Sequence, residues 1–384
     1  MKQIARFNPR KARLRHRSAR SVRLAWAALA LTCIHASVAP GAVSRVRALA
    51  QHEPCTPRDG LSFICGPEGS EDIVRIPGTT WLIASGLNLG RPAHLFLIDA
   101  RRKRASVLFP AAGALAAQAR MRSASGCAGP PDPARMSMDG LGLRAGPSGR
   151  DMLYAANHGD RMAIEEFAVD ARMDPPRAMW VDCAPLPAGT LPNAVAPLAD
   201  SGFLVTTFYD PRDQSSWERM ARAERTGRIL KWEPESGFRT LPGSEMSGAN
   251  GLATSRDGRI VYASAWSARK VLLLPVTGGR RREIPLDFMP DNIHLLVDGT
   301  LLVGGQRTTV ERIARCGGGA CPQAWAIVRI DPRSGVVQPL LTRPGTPEVN
   351  YACGGIELGG VLYFTDRGTR SVAYISLTQL PSLK

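Results

Sequence analysis

The chain has 384 residues, 44% of them hydrophobic, with 38 Gly, 30 Pro and a formal charge of +16 from 49 Lys and Arg against 33 Asp and Glu. Eleven of those cations and no acids fall in residues 1–50, so the rest carries only about +5, which removes the case for nucleic-acid binding that the total charge suggests. What remains is long enough to bury a sizeable core as one domain, and its Gly and Pro content suits a hairpin-rich fold.

Residues 1–23 carry nine Lys or Arg and no acid, residues 24–34 form an apolar core, and Ala48-Leu49-Ala50 reads as a cleavage site before Gln51. That order is a secretory signal peptide, with an apolar run short for a membrane span. It predicts a periplasmic or secreted protein. The alternative is an inner-membrane anchor left uncleaved, since apolar residues continue to Val43. The basic region lacks an Arg-Arg pair, which argues for general rather than twin-arginine export. Residues 51–384 are then the folded domain.

From residue 71 onward one unit recurs: a short polar lead, an apolar run, a turn signal and a second apolar run. It is clearest at 247–263, SGANGLATSRDGRIVYA, where Asp257-Gly258 hinges two strand-like runs. Glu71-Asp72, Asp139-Gly140, Pro192-Asn193, Asp291-Asn292 and Cys353-Gly354-Gly355 lead the other five. The leads at 71, 139, 193, 250, 292 and 354 are spaced 42 to 68 residues apart, close to the roughly 40–50 residues of a propeller blade. A second strand pair follows most hairpins, as at 228–242 and 326–342. The prediction is an all-β fold, a six-bladed β-propeller with a central axial metal site. Two stretches break the period: residues 111–136 read as a loop between the first two blades. Residues 210–226 read as an inserted short helix with Trp217 and Met220 as its apolar members.

Beyond Cys33, seven cysteines remain: Cys55, Cys65, Cys127, Cys183, Cys316, Cys321 and Cys353. Cys316 with Cys321, and Cys55 with Cys65, can close local loops, and the odd count leaves one thiol over. Zinc ligation calls for further Cys or His at ligand spacing, and none is near in sequence.

Inner strands of a propeller line its axis, so the leads converge there. Glu71, Asp139, Asn193, Asn250, Asp291 and Asn292 are all oxygen donors, the set a hard cation such as Ca²⁺ selects. Each alone is equally a turn-forming residue; their common register favours the metal.

Gly69-Ser70-Glu71-Asp72-Ile73 followed by Leu82-Ile83-Ala84-Ser85-Gly86-Leu87 resembles the first-blade motif of the paraoxonase, gluconolactonase and regucalcin-like group of calcium-dependent six-bladed propellers. Tyr154-Ala155-Ala156-Asn157-His158 is similar to its second-blade strand. Leu191-Pro192-Asn193, Ala249-Asn250-Gly251 and Pro290-Asp291-Asn292-Ile293 are similar to its metal-binding turns. The resemblance implies a catalytic Ca²⁺ on Glu71, Asn193, Asn250, Asp291 and Asn292, and a second, structural Ca²⁺ using Asp72. Ala194 stands where that second site expects an acid, and Asp139 stands where the group has one of a histidine pair, His158 matching the other. The disulfide that joins the chain ends in the group has no cysteine near residues 373–377.

The expected activity is hydrolysis of a lactone or carboxylic (aryl) ester, with Ca²⁺ polarising the carbonyl and His158 or Asp139 as the base for water. No nucleophile elbow or phosphate loop is present, which disfavours acyl-enzyme and nucleotide chemistry. The alternative is a non-catalytic propeller that binds a ligand or protein and uses calcium structurally. Partners are thus a small lactone or ester, no nucleic acid, and a membrane only through the N-terminal segment.

Overall fold

The computed structural model describes residues 55–88, 90–110, 126–199, 202–316 and 321–380. The signal-peptide reading and most of the 111–136 loop lie outside these residues. Twenty-four strands form six four-stranded antiparallel sheets. Blade I is β2–β5 (Ile73–Arg75, Trp81–Ala84, Leu95–Asp99, Arg104–Phe109), and blade II is β6–β9 (Met138–Arg144, Arg150–Asn157, Ala163–Asp170, Arg177–Pro185). Blade III is β10–β13 (Pro192–Pro197, Phe203–Thr207, Arg228–Glu233, Gly237–Thr240), and blade IV is β14–β17 (Ala249–Thr254, Ile260–Ala265, Lys270–Pro275, Arg282–Pro285). Blade V is β18–β21 (Met289–Leu295, Leu301–Gln306, Trp325–Ile330, Val337–Arg343). Blade VI is β22–β24 (Ala352–Leu358, Val361–Asp366, Ser371–Ser376), completed on its outside by the first strand, β1 (Ser62–Cys65).

Each blade's first strand touches the first strand of the next, β2 to β6 to β10 to β14 to β18 to β22 and back to β2, so the inner strands close a ring. Closure is made by β1 pairing antiparallel with β24, Ser62 opposite Tyr374 and Cys65 opposite Ser371. Backbone hydrogen bonds thus do the work of the end-to-end disulfide found in the resembled group. Cys65 is bonded instead to Cys55.

Most strands are buried on both faces, which explains runs such as Leu95–Asp99 and Phe203–Thr207 with every residue buried. The period of two sends alternate side chains to opposite neighbours. On β4, Leu95 and Leu97 pack toward blade II while Phe96 and Ile98 pack toward blade VI. Six apolar clusters result, one for each pair of adjacent blades.

Among the described residues two short α-helices interrupt the blades. α1 (Ser216–Ala221) follows β11 within the stretch expected to be helical. α2 (Val310–Arg315) follows β19 and was not expected; six residues are too few to display a helical period, although Thr309 caps it by accepting from the Arg312 amide. Both insertions leave from strand ends paired with the starts of inner strands, Thr207 opposite Pro192 and Gln306 opposite Met289. That places them on the face where the lead residues lie.

Candidate axial site

The inner strands of blades II to VI each carry an irregularity at one register: between Met138 and Leu141, Pro192 and Val195, Ala249 and Leu252, Pro290 and Ile293, and Ala352 and Gly355. One extra residue there makes a β-bulge, which re-aims side chains. The first bulge residues are Asp139, Asn193, Asn250, Asp291 and Cys353, all buried; Glu71, two residues ahead of β2, completes the ring and is 3% exposed. The second bulge position lies against the next blade. A Cβ on Gly251 would be 2.3 Å from the Asp291 carbonyl oxygen, so only glycine fits that approach.

Neighbouring groups hold one polar atom of most ring members. Asn292 Nδ2 donates to Glu71 Oε1 at 2.9 Å and to the Glu71 carbonyl at 3.0 Å. Asn193 Nδ2 donates to Asp139 Oδ2 at 3.1 Å. Gln306 Nε2 donates to Asp291 Oδ2 at 2.7 Å, and Gln306 is fixed in turn by Trp266 Nε1 at 3.0 Å. The second atoms are left bare: Glu71 Oε2, Asn193 Oδ1 and Asn250 Oδ1 are buried without a hydrogen-bond partner. A buried oxygen without a donor costs about 1–3 kcal/mol, so three in one ring are a defect unless something positive completes them.

Charge points the same way. Burial, then the carboxylates of Asp139, Asp291 and Asp72, hold the Glu71 carboxyl well above its usual range. Burial also raises Asp291, against the pull of its Gln306 hydrogen bond. Crowded carboxylates with bare oxygens and oriented amides fit a divalent cation.

Of the sequence-derived residues, Glu71, Asp139, Asn193, Asn250, Asp291 and Asn292 are brought together at the axis. His158, in the turn after β7, sits at the edge of the ring with Nε2 3.2 Å from Asp139 Oδ2, its side chain 25% exposed. Asp72 is engaged elsewhere: Oδ1 accepts from the Ile73 amide at 2.8 Å and faces His294 Nε2 at 2.7 Å, while Oδ2 accepts from the Leu141 amide at 2.8 Å. His294, to which the sequence reading assigned nothing, therefore serves as the polar partner of Asp72. It also lines a 710 Å³ cavity at the other mouth of the channel, which contains none of the ring residues.

Sequence reasoning missed Cys353, Gln306, Tyr351 and Arg367. Arg367, in the turn after β23, lies over the Tyr351 ring at 5.1 Å. Burial opposes its charge, while the carboxylates of Asp139 and Asp291 are among the groups that favour it. Above the ring, Met220, Trp266, Met289, Val310, Ile313, Tyr351 and Cys353 form a seventh apolar cluster, flanked by Phe208, Tyr209 and Trp217. It belongs to no blade interface; α1 and α2 meet there and roof the Asn250–Asp291–Cys353 side.

The other disulfides fit this layout. Cys127–Cys183 ties the end of the 111–136 loop to β9, and Cys316–Cys321 closes the α2 insertion, while Cys353 is free and buried.

No family model matches the chain, and no curated protein matches it in sequence. Solved structures do match in fold. A gluconolactonase from Xanthomonas campestris aligns at 16% identity with a TM-score of 0.51, over 84% of this chain and 89% of that one. A Bacteroides thetaiotaomicron protein of unknown function aligns at 10% identity and TM-score 0.51, over 82% and 75%. Virginiamycin B lyase from Staphylococcus aureus aligns at 12% and 0.47, over 82% and 98%. At these identities the likeness to the first two, each at a TM-score of 0.51, is one of fold alone.

Proposed function

We propose that the chain is an exported, calcium-dependent hydrolase of lactones or carboxylic esters, acting in the periplasm or outside the cell. One observation carries the reading: the bare oxygens of Glu71, Asn193 and Asn250 face one axis among crowded carboxylates, beside a histidine–aspartate pair. Glu71, Asn193, Asn250 and Asp291 would hold the cation, with Asn292 contributing its carbonyl while its amide keeps Glu71 oriented. A cation held there supplies a Lewis acid for a lactone or ester carbonyl.

The rest of the chemistry belongs to the chain. On this reading Asp139 Oδ2, 3.2 Å from His158 Nε2, would keep the imidazole proton on that nitrogen and leave Nδ1 to take a proton from the attacking water. Asp139, itself held by Asn193 Nδ2, is the positioning partner rather than the base. The aromatic roof of Phe208, Tyr209, Trp217 and Trp266 excludes water from one side and offers an apolar wall to the substrate. Asp72 has no part in a second cation site on this reading, since the Ile73 and Leu141 amides and His294 occupy both its oxygens.

The test is hydrolysis of a panel of small lactones and aryl esters in calcium and in chelator, with Asn250→Ala, Asp291→Ala and His158→Gln alongside and melting recorded for each. Turnover that vanishes in chelator, and in all three variants while they stay folded, is expected. Melting that responds to calcium with no turnover on any substrate would instead mark a binding propeller.

A further inference from the structure

The ring has a sixth member that oxygen chemistry leaves unused. The blade VI bulge puts Cys353 where the other bulges put Asp139, Asn193, Asn250 and Asp291. Its thiol is fully buried and takes no part in a disulfide. Its Sγ and carboxylate oxygens of Glu71 and Asp291 all lie within 4.8 Å of one another. The thiol donates only to its neighbour's carbonyl, Tyr351 O, at 3.2 Å.

We propose that Cys353 is a metal ligand, so that the axial ring, which takes calcium through its oxygens, binds a thiophilic divalent cation, zinc or cadmium, more tightly still. The inference rests on the ring being a cation site, and goes beyond it by fixing which cations it favours. A buried cysteine is ordinarily a small apolar residue, and the roof side of Cys353 is apolar. Its other side is not: carboxylate oxygens of Glu71 and Asp291 stand within 4.8 Å of the sulfur, an environment that an apolar filler does not call for. The bare oxygens of Glu71, Asn193 and Asn250 are the independent sign of a ligand in the same ring.

The distances suit one ion. Zinc bonds sulfur at about 2.3 Å and oxygen at about 2.1 Å in tetrahedral geometry, so its ligand atoms stand about 3.4–3.6 Å apart. Sub-ångström side-chain shifts bring all three donors onto it. On binding, a metal–sulfur bond forms, the S–H bond breaks and its proton passes to solvent. The three negative ligands then outweigh the ion by one charge, which Arg367 offsets. Thiolate softness, not ring size, sets the preference over calcium.

The experiment titrates the full-length, chelator-stripped protein with calcium, zinc and cadmium, followed by calorimetry and ultraviolet absorption. Wild type, Cys353→Ser and Cys33→Ser are compared. Cadmium should produce a thiolate charge-transfer band in wild type and in Cys33→Ser but not in Cys353→Ser. Zinc should bind at least about tenfold tighter than calcium, and Cys353→Ser should erase that margin while calcium affinity stays within about threefold. Calcium binding without a cadmium band, or a band that survives in Cys353→Ser, overturns the inference and leaves the calcium site standing. No binding of any ion by wild type overturns both. The Cys33→Ser protein keeps the native ring, so the cadmium band is decisive even if Cys353→Ser fails to fold.

Discussion

Glu165→Gln should destabilise the protein and disable His158 through one buried carboxylate. Glu165 is fully buried on β8, and every acceptor position is used. Its Oε1 accepts from Arg161 Nε at 2.7 Å and Asn157 Nδ2 at 3.0 Å; Oε2 accepts from Arg161 Nη2 at 2.7 Å and Trp180 Nε1 at 2.9 Å. The same Asn157 donates to Asp160 and accepts from the Ser137 and Gly159 amides, so the network clamps the turn that presents His158. Replacing one oxygen by an amide aims N–H at the Arg161 guanidinium. Breaking a buried pair from one side costs about 3–5 kcal/mol. The Arg161 side chain is 23% exposed and regains some hydration, so the low end, about 3 kcal/mol, applies. At about 2.1 cal/mol/K of unfolding entropy per residue over a domain of about 330 residues, each kcal/mol is worth about 1.4 °C, so melting should fall by about 4 °C. Thermal melting and a double-mutant cycle are the assays: Glu165→Leu with Arg161→Met should melt above Glu165→Leu alone. In the hydrolase assay kcat should fall with little change in KM. A Glu165→Gln melting shift under about 1 °C, or strict additivity in the cycle, would refute the reasoning.

Burial, and next the Asp182 carboxylate, push Glu166 from 4.5 up to about 7. Its ionisation thus opposes folding increasingly as pH rises from about 4.5 through 7, by up to about 3 kcal/mol, and Glu166→Gln should raise the melting temperature at pH 8 but not at pH 4. A wild-type-to-variant difference independent of pH would contradict this. Gly251→Ala forces a Cβ against the Asp291 carbonyl and should cost about 1–3 kcal/mol in chemical denaturation while weakening cation binding; an unperturbed variant would show the bulge ring to be looser than described. Opening the Cys127–Cys183 bond, which spans 56 residues, should remove about 4 kcal/mol in the chain-entropy account, read from melts of Cys127→Ser/Cys183→Ser. Identical melts would show that the loop contributes nothing through its tether.

Much of this was legible in the sequence because it is written locally. Asp-Gly turns and the lead before each hairpin fall within a few residues of the strands they organise, so the six blades and the oxygen ring at Glu71, Asp139, Asn193, Asn250, Asp291 and Asn292 emerge from spacing alone. Partnerships between distant residues do not. Ser62–Cys65 is too short to announce itself as the closing strand, because its partner lies some three hundred residues on. The partner of Asp72, His294, lies 222 residues away, and no local pattern joins the two. Cys353 was hidden for a chemical reason: a cysteine leading a Gly-Gly turn reads as an unpaired thiol until its blade is seen to bulge like the others. Gln306 and Arg367 act on the ring from second strands and their turns, where no repeat marks them.

The central claim is that the buried axial ring is a cation site, and thermal melting of the stripped wild-type protein in chelator and in millimolar calcium tests it most directly. Relief of the bare oxygens of Glu71, Asn193 and Asn250 predicts a melting temperature that climbs with calcium concentration, in step with the logarithm of the ligand once the site saturates, and a response lost in Asn250→Ala. Superimposable melts in chelator, calcium and zinc would contradict it.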